Sequence, residues 1–182
     1  MATKTKNLSK HIKETIGTVI ASVVLVVLTM MFVAQSLEIS GNSMVPTFHN
    51  SERIVVEKVS YKTSNPKRYD IVVVRSPSND SMLLIKRVIG LPNESIKIDQ
   101  NGQVFANGQL IDSNFVNTED SSFKPAVRYS EYNLKKDEYF ILGDNRNHSN
   151  DSRFFGAINK ESIVGKAFFV YWPLNKIRTV QH

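Results

Sequence analysis

The stretch SMLLIKRVIG, residues 81–90, decides how the rest of the chain is read. Strand alternation puts Met82, Leu84, Lys86 and Val88 on one face, and Leu83, Ile85, Arg87 and Ile89 on the other. A strand that is apolar on both faces is normally buried. Burial disfavours the charged form of a lysine, which tends to give up its proton instead. The plain alternative for Lys86 is a buried stem with an amine that snorkels to the strand edge.

Working outward from this strand, segments rich in Val, Ile, Phe and Tyr mark further strands at 53–61, 70–75, 95–99, 103–106, 109–111, 138–142 and 166–171. Asn101-Gly102 and Asn107-Gly108 are strong hairpin turns, because both residue types tolerate positive φ. Helical periodicity is scarce, with one short turn expected at 160–164. The polar, irregular run 112–132 reads as a surface insertion. The fold class expected is mainly β, an antiparallel β-sheet domain.

Ahead of that domain lies IGTVIASVVLVVLTMMFVA, residues 16–34, nineteen residues without a charge. At 1.5 Å per residue it matches a hydrocarbon core of ~30 Å, which predicts a single transmembrane helix. A cleaved signal peptide is the rival, since Ala34-Gln35-Ser36 resembles a cleavage site, but its apolar region is usually shorter. Lys4, Lys6, Lys10 and Lys13 precede the segment, so 1–15 is expected in the cytoplasm and 35–182 outside. Ser43 follows Ala34 by nine residues, a linker of at most about 30 Å.

Composition excludes several classes of function. The net charge is +6, and +3 beyond the first fourteen residues, with no basic block interleaved with aromatics, so no nucleic-acid partner is expected. The absence of cysteine rules out disulfides and thiolate metal sites. His11, His49, His148 and His182 lack metal-ligand spacing, and neither metal nor cofactor is expected.

Three places could carry chemistry. SGNSMVPTF, residues 40–48, brackets Ser43 with Gly41 and Pro46, which alone reads as a serine-containing turn. Lys86 is the second. The third is GDNRNHSNDSRFFG, residues 143–156, whose polar density beside the apolar run EYFIL predicts a mutually satisfied buried network. The first two answer each other. A serine hydroxyl is a weak nucleophile until a base takes its proton, and a lysine is such a base only when burial depresses its pKa. A Ser149–His148 pair is the alternative, but adjacent residues rarely align base and nucleophile.

Taken together, these residues resemble the bacterial type I signal peptidases, in the compact Gram-positive form. GNSMVPT (41–47) resembles the nucleophile box, RYDIVVV (68–74) the strand after it, IKRVIGLP (85–92) the lysine box and 143–156 the C-terminal box. The resemblance implies a membrane-anchored serine endopeptidase that cuts signal peptides from secreted preproteins after small residues. In that reading Ser43 is the nucleophile, Lys86 the general base, and Ser149 orients the lysine amine. The Ser43 backbone N–H supplies an oxyanion donor, and Met44 lines the substrate edge. Asp144, Arg146, Asp151 and Arg153 hold the C-terminal box against the site. The implied partners are preprotein signal peptides and the lipid bilayer. Two departures stand out. Gly41 occupies the position where Gram-negative relatives carry a second, serine oxyanion donor. Pro92-Asn93-Glu94 replaces the usual Pro-Gly-Asp, with Asn able to adopt the left-handed conformation of the glycine. A non-catalytic relative that assembles surface structures is the competing reading; such relatives lose the serine or the lysine.

Overall fold

The computed structural model describes residues 2–111 and 130–180, without the side chains of 2–10, 12 and 29–32. The chain begins with helix α1 (Ala2–Val33) and passes directly into β1 (Ala34–Glu38), followed by β2 (Arg53–Glu57) and a single helical turn, α2 (Ser60–Thr63). The hairpin β3 (Ile71–Ser76) and β4 (Asn79–Gly90) comes next, then β5 (Ser95–Ile98), β6 (Val104–Ala106) and β7 (Gln109–Leu110). After 130 come β8 (Glu131–Asn133), β9 (Glu138–Leu142), the one-turn helix α3 (Ser152–Phe155), β10 (Ile158–Asn159), β11 (Ile163–Trp172) and β12 (Arg178–Thr179).

All strand pairs are antiparallel. The larger sheet runs β1-β2-β11-β3-β4-β9-β10, with β12 added to β11; the smaller runs β7-β6-β5-β8. The mainly β expectation holds. The β4 strand lies between β3 and β9, and both faces of the β3–β4 hairpin are covered. Ile71, Val73 and Ile85 join one apolar cluster with Met44 and Phe48, whereas Val72, Val74 and Val88 join another with Tyr139 and Ile141. Ile89 belongs to a third, where it meets Phe140, Leu142 and the smaller sheet's Ile96, Ile98 and Val104.

Several expectations need correction. The strand expected at 53–61 stops at Glu57, because the Glu57 carboxylate accepts the Val59 and Ser60 amides and starts α2. The segment 112–132 is not wholly insertion. Glu131 and Tyr132 pair with Lys97 and Ile96, while 112–129 lies outside the described residues. Met82 does not cover Lys86. It is 53% exposed, near the turn of the hairpin, in the register shift between the pairs Arg75–Leu83 and Ser76–Asn79. The short strands β1, β8, β10 and β12 carry too few apolar residues to announce themselves. Asn107 and Gly108 form the two-residue turn with φ of 50° and 80°; at the other site only Gly102 is left-handed. Asn93 takes φ 65°, the conformation expected of it.

The N-terminal segment also differs in detail. Helix α1 covers the basic stretch as well as the apolar one, and Ala34 belongs to β1 rather than to the helix. Ile16, Val19, Ile20 and Val23 to Leu28 are exposed along it. Among the described residues no helix is long and apolar enough to cross a membrane; positions 29–32 of the expected span fall outside the described side chains. No free linker leads to Ser43. The Lys58 amide donates to Val33 O at 2.9 Å, and β1 pairs with β2 along its full length.

Close strand packing makes one glycine indispensable. A Cβ on Gly165 of β11 would lie 2.2 Å from Glu57 O and 2.9 Å from Val56 Cγ1 on β2. Relief requires moving backbone, so Gly165→Ala should lower unfolding free energy by about 2 kcal/mol or more in chemical denaturation. A variant as stable as the parent contradicts the close approach.

Candidate active site

The loop 39–52 between β1 and β2 carries Ser43. Its base closes through Ile39 N to Glu52 O and Ser51 N to Ile39 O, both 2.8 Å. Gly41 turns it with φ 92°, its amide donating to Asn50 Oδ1 at 2.8 Å. Met44 and Phe48 anchor it by inserting into the apolar cluster under the large sheet. Ser43 is left half-buried between them and the solvent-facing side of the loop.

Lys86 approaches from the centre of β4, opposite Val72 on β3. It is 3% exposed. Its Nζ lies 2.9 Å from Ser43 Oγ, donating a hydrogen bond in the protonated form, and 2.9 Å from the carbonyl oxygen of Ile85. Burial drives its pKa down from 10.5 to about 8; Asp151 and Asp144 oppose the shift and Arg153 assists it. The snorkelling alternative fails, since the amine points inward at a hydroxyl.

The carboxylates near Lys86 are engaged elsewhere. Asp144 receives a two-pronged bond from Arg87, at 2.9 and 2.7 Å, and also the Thr47 hydroxyl. Asp151 receives another from Arg153, at 2.8 and 2.9 Å, together with the Gly143 amide at 3.0 Å. Arg153 continues to Arg146 O at 2.7 Å, and Arg146 donates to Gly143 O at 3.0 Å. All five charged groups are buried. Burial, with Arg153 nearby, lowers the Arg146 pKa to about 10. Asp151 and Asp144 outweigh Arg153 and pull the amine toward its charged form, so it is burial that favours the neutral one.

Gly143 is the hinge of this packing. A Cβ there would lie 2.2 Å from Ser149 Oγ and 2.5 Å from Ser43 O, so the C-terminal box reaches the Ser43 loop only because the side chain is missing. The Asn145 amide then donates to Ser43 O at 3.0 Å. The structure therefore brings together Ser43, Lys86, Ser149, Asp144, Arg146, Asp151 and Arg153.

Two residues sit otherwise than the resemblance implies. The Ser149 hydroxyl is buried with no hydrogen-bond partner among the described residues and does not contact the lysine amine here. Met44 is 1% exposed in the core rather than on an open edge, because its side chain anchors the loop. His148 lies exposed beside Asn145, at 3.2 Å, away from the Lys86–Ser43 contact. Arg87, Thr47 and Gly143 were missed. Arg87 had a signal, since it shares the doubly apolar strand with Lys86. Arginine cannot shed its proton, so its burial demands a carboxylate. Among the described residues no group of three or more His, Cys, Asp or Glu could hold a metal ion.

A hydroxyl 2.9 Å from a buried amine of lowered pKa is equipped for nucleophilic chemistry of the serine-hydrolase kind. The comparisons agree with that class. The pattern of the family described as signal peptidase, peptidase S26, matches residues 12–172. A probable signal peptidase I-2 from Synechocystis is 34% identical over 165 residues, covering 88% of this chain and 73% of that one. A signal peptidase I P from Bacillus subtilis subsp. natto is 34% identical over 184 residues, covering 98% of each. A crystal structure of a signal peptidase I from Enterococcus faecalis, 28% identical, covers 57% of this chain and 97% of that one with a TM-score of 0.47. The chain belongs to the signal peptidase family, peptidase S26, and is an enzyme of the signal peptidase I type, a peptide hydrolase.

The buried amine has a stability consequence. A pKa of about 8 in the fold against 10.5 outside it costs on the order of 3 kcal/mol while the group is charged. The unfolded chain binds the extra proton, so the cost is full below pH 8, fades between about 8 and 10.5, and vanishes above. Lys86→Met keeps the stem and removes the charge. It should stabilise the fold by about 1–3 kcal/mol at pH 7, less as pH rises. Denaturant titrations at pH 7 and pH 10 check this; a variant less stable than the parent at pH 7 contradicts it.

Proposed function

We propose that this chain is a membrane-anchored serine endopeptidase that removes N-terminal signal peptides from secreted preproteins, cutting after small residues. The observation that carries the reading is the 2.9 Å contact between Ser43 Oγ and a lysine amine that is buried, lowered in pKa and without an ion-pair partner among the described residues.

The steps follow from that contact. Neutral Lys86 takes the Ser43 proton as Oγ attacks the carbonyl carbon of the scissile bond. The Ser43 backbone N–H faces the oxyanion of the tetrahedral intermediate. Collapse breaks the C–N bond, and the Lys86 ammonium returns its proton to the leaving amine, the new N-terminus of the mature protein. Lys86 then deprotonates a water, which attacks the acyl-enzyme; the Oγ–C bond breaks, the ammonium returns its proton to Ser43 Oγ, and the signal peptide leaves with a free carboxyl end. Ser149, buried beside Gly143 with no hydrogen-bond partner among the described residues, turns toward the amine and orients it during this cycle. Asp144, Arg146, Asp151 and Arg153 hold the box in place, and Met44 sets the floor under the substrate edge.

The apolar, exposed face of α1 supports anchoring in a bilayer, with the N-terminus in the cytoplasm and the sheet domain on the outer side. Because α1 runs straight into β1, the domain would stand at the membrane surface, where the cleavage region of a signal peptide emerges.

The test is incubation of the purified full chain with a preprotein and mapping of the cut by mass spectrometry. One cut after a small residue, with small residues also favoured two positions earlier, is expected. Ser43→Ala should abolish it, and Lys86→Arg should fail as completely as Lys86→Ala, since arginine keeps the charge but cannot act as a base. Cleavage by the Ser43→Ala or Lys86→Arg variant overturns the assignment.

A further inference from the structure

We infer that Arg178 is a positioning residue for the nucleophile. It lies in β12, a two-residue strand beyond the family-matched residues 12–172, and ties the loop that carries Ser43 to the sheet.

The contacts are specific. Arg178 Nη2 donates to Thr47 O at 2.8 Å and to Glu52 Oε2 at 2.7 Å, and Nη1 donates to Glu52 Oε1 at 3.1 Å. The guanidinium also stands over the Phe48 ring, 5.8 Å from its centroid. Glu52 is 1% exposed and accepts the His49 amide at 3.2 Å. Burial alone would raise the Glu52 pKa, but the bonds from Arg178 and His49 outweigh it and the carboxyl stays below its ordinary value. One planar fork therefore grips the loop at its exit, Glu52, and at its middle, Thr47.

The place of that grip matters. Thr47 is held from the other side as well, where its hydroxyl donates to Asp144 and accepts from Arg87 Nη2 at 3.2 Å. Arg87 and Arg178 thus pin the same residue through different atoms, four positions after Ser43. The Phe48 amide donates to Met44 O at 2.9 Å, which closes the turn just after Ser43. Releasing one pin lets this turn shift, and the Ser43 hydroxyl with it. A misplacement of ~1 Å at a reacting group can cost on the order of 100-fold in rate.

Lysine at 178 would keep the charge beside Glu52, but its single ammonium lacks the fork that reaches Thr47 O at the same time. This inference rests on the Ser43 reading, and its test separates the two. Arg178→Lys, Arg178→Gln and the control Lys176→Gln are made in the full chain. Lys176 is half-exposed, with Nζ 4.0 Å from Glu52. Thermal unfolding, kcat and KM on a preprotein, and hydrogen exchange of the amides of residues 44, 45, 47 and 48 are measured.

The expected result for Arg178→Lys is a melting temperature close to the parent's, a kcat lowered at least ten-fold, a KM within about three-fold, and faster exchange at the amides of 44, 45, 47 and 48. Lys176→Gln should match the parent in all four. Unchanged kcat and unchanged exchange in Arg178→Lys overturn the inference. So does a loss of kcat accounted for by the fraction unfolded, or a change in KM alone. If Arg178→Gln fails to fold, Arg178→Lys still decides. If Ser43→Ala proves active, the nucleophile reading falls, while the exchange data still report whether Arg178 holds the loop.

Discussion

The structure depends on one constraint: a lysine amine held in the interior with no ion-pair partner of its own among the described residues. Burial of Lys86 outweighs the attraction that Asp151 and Asp144 offer its cation, and it costs stability at neutral pH. A fold tolerates such a cost when the group must be neutral to work. The neighbouring residue shows the contrast. Arg87 enters the same strand, is as deeply buried, and is fully matched by Asp144. Two adjacent cations thus receive opposite treatment, one neutralised by pairing and the other by desolvation.

The C-terminal box makes that difference hold. Two aspartates stand close enough to Lys86 to raise its pKa, and each is already gripped by a guanidinium in a two-pronged bond. Removal of either arginine would leave a carboxylate free to recharge the lysine. The box is therefore an electrostatic filter as much as a scaffold. Its backbone groups complete the job, with the Gly143 amide on Asp151 and the Asn145 amide on Ser43 O. Thr47 links this network to the Ser43 loop, so loop, lysine strand and box form one hydrogen-bonded unit.

Much of this was legible in the sequence, for physical reasons. Strands with both faces apolar, Asn-Gly turns and a lone lysine between leucines and valines leave strong local signals. The Ser–Lys pairing followed from chemistry, because each residue lacks something the other supplies. Other features left no such trace. The two-residue strands β10 and β12 are made by tertiary pairing, and Arg178 reads as an ordinary basic residue near the end of the chain. That Met82 would be exposed depended on where the β3–β4 hairpin turns, which residue type does not encode. The burial of Met44 depended on how the loop folds back on the sheet. Gly143 and Gly165 are required by what approaches them, Ser149 in one case and a β2 carbonyl in the other. Arg87 was the avoidable omission, since the burial argument applied to Lys86 holds for it with greater force.

The central claim is that the fold desolvates Lys86 and so brings its pKa close enough to physiological pH to supply a neutral base. The direct measurement is the titration of its Nζ in the folded, substrate-free chain, by nuclear magnetic resonance of lysine side chains with Lys86→Met used for assignment. The account predicts a midpoint near 8, well below the ordinary 10.5. A Lys86 amine that titrates at the ordinary lysine value would contradict it.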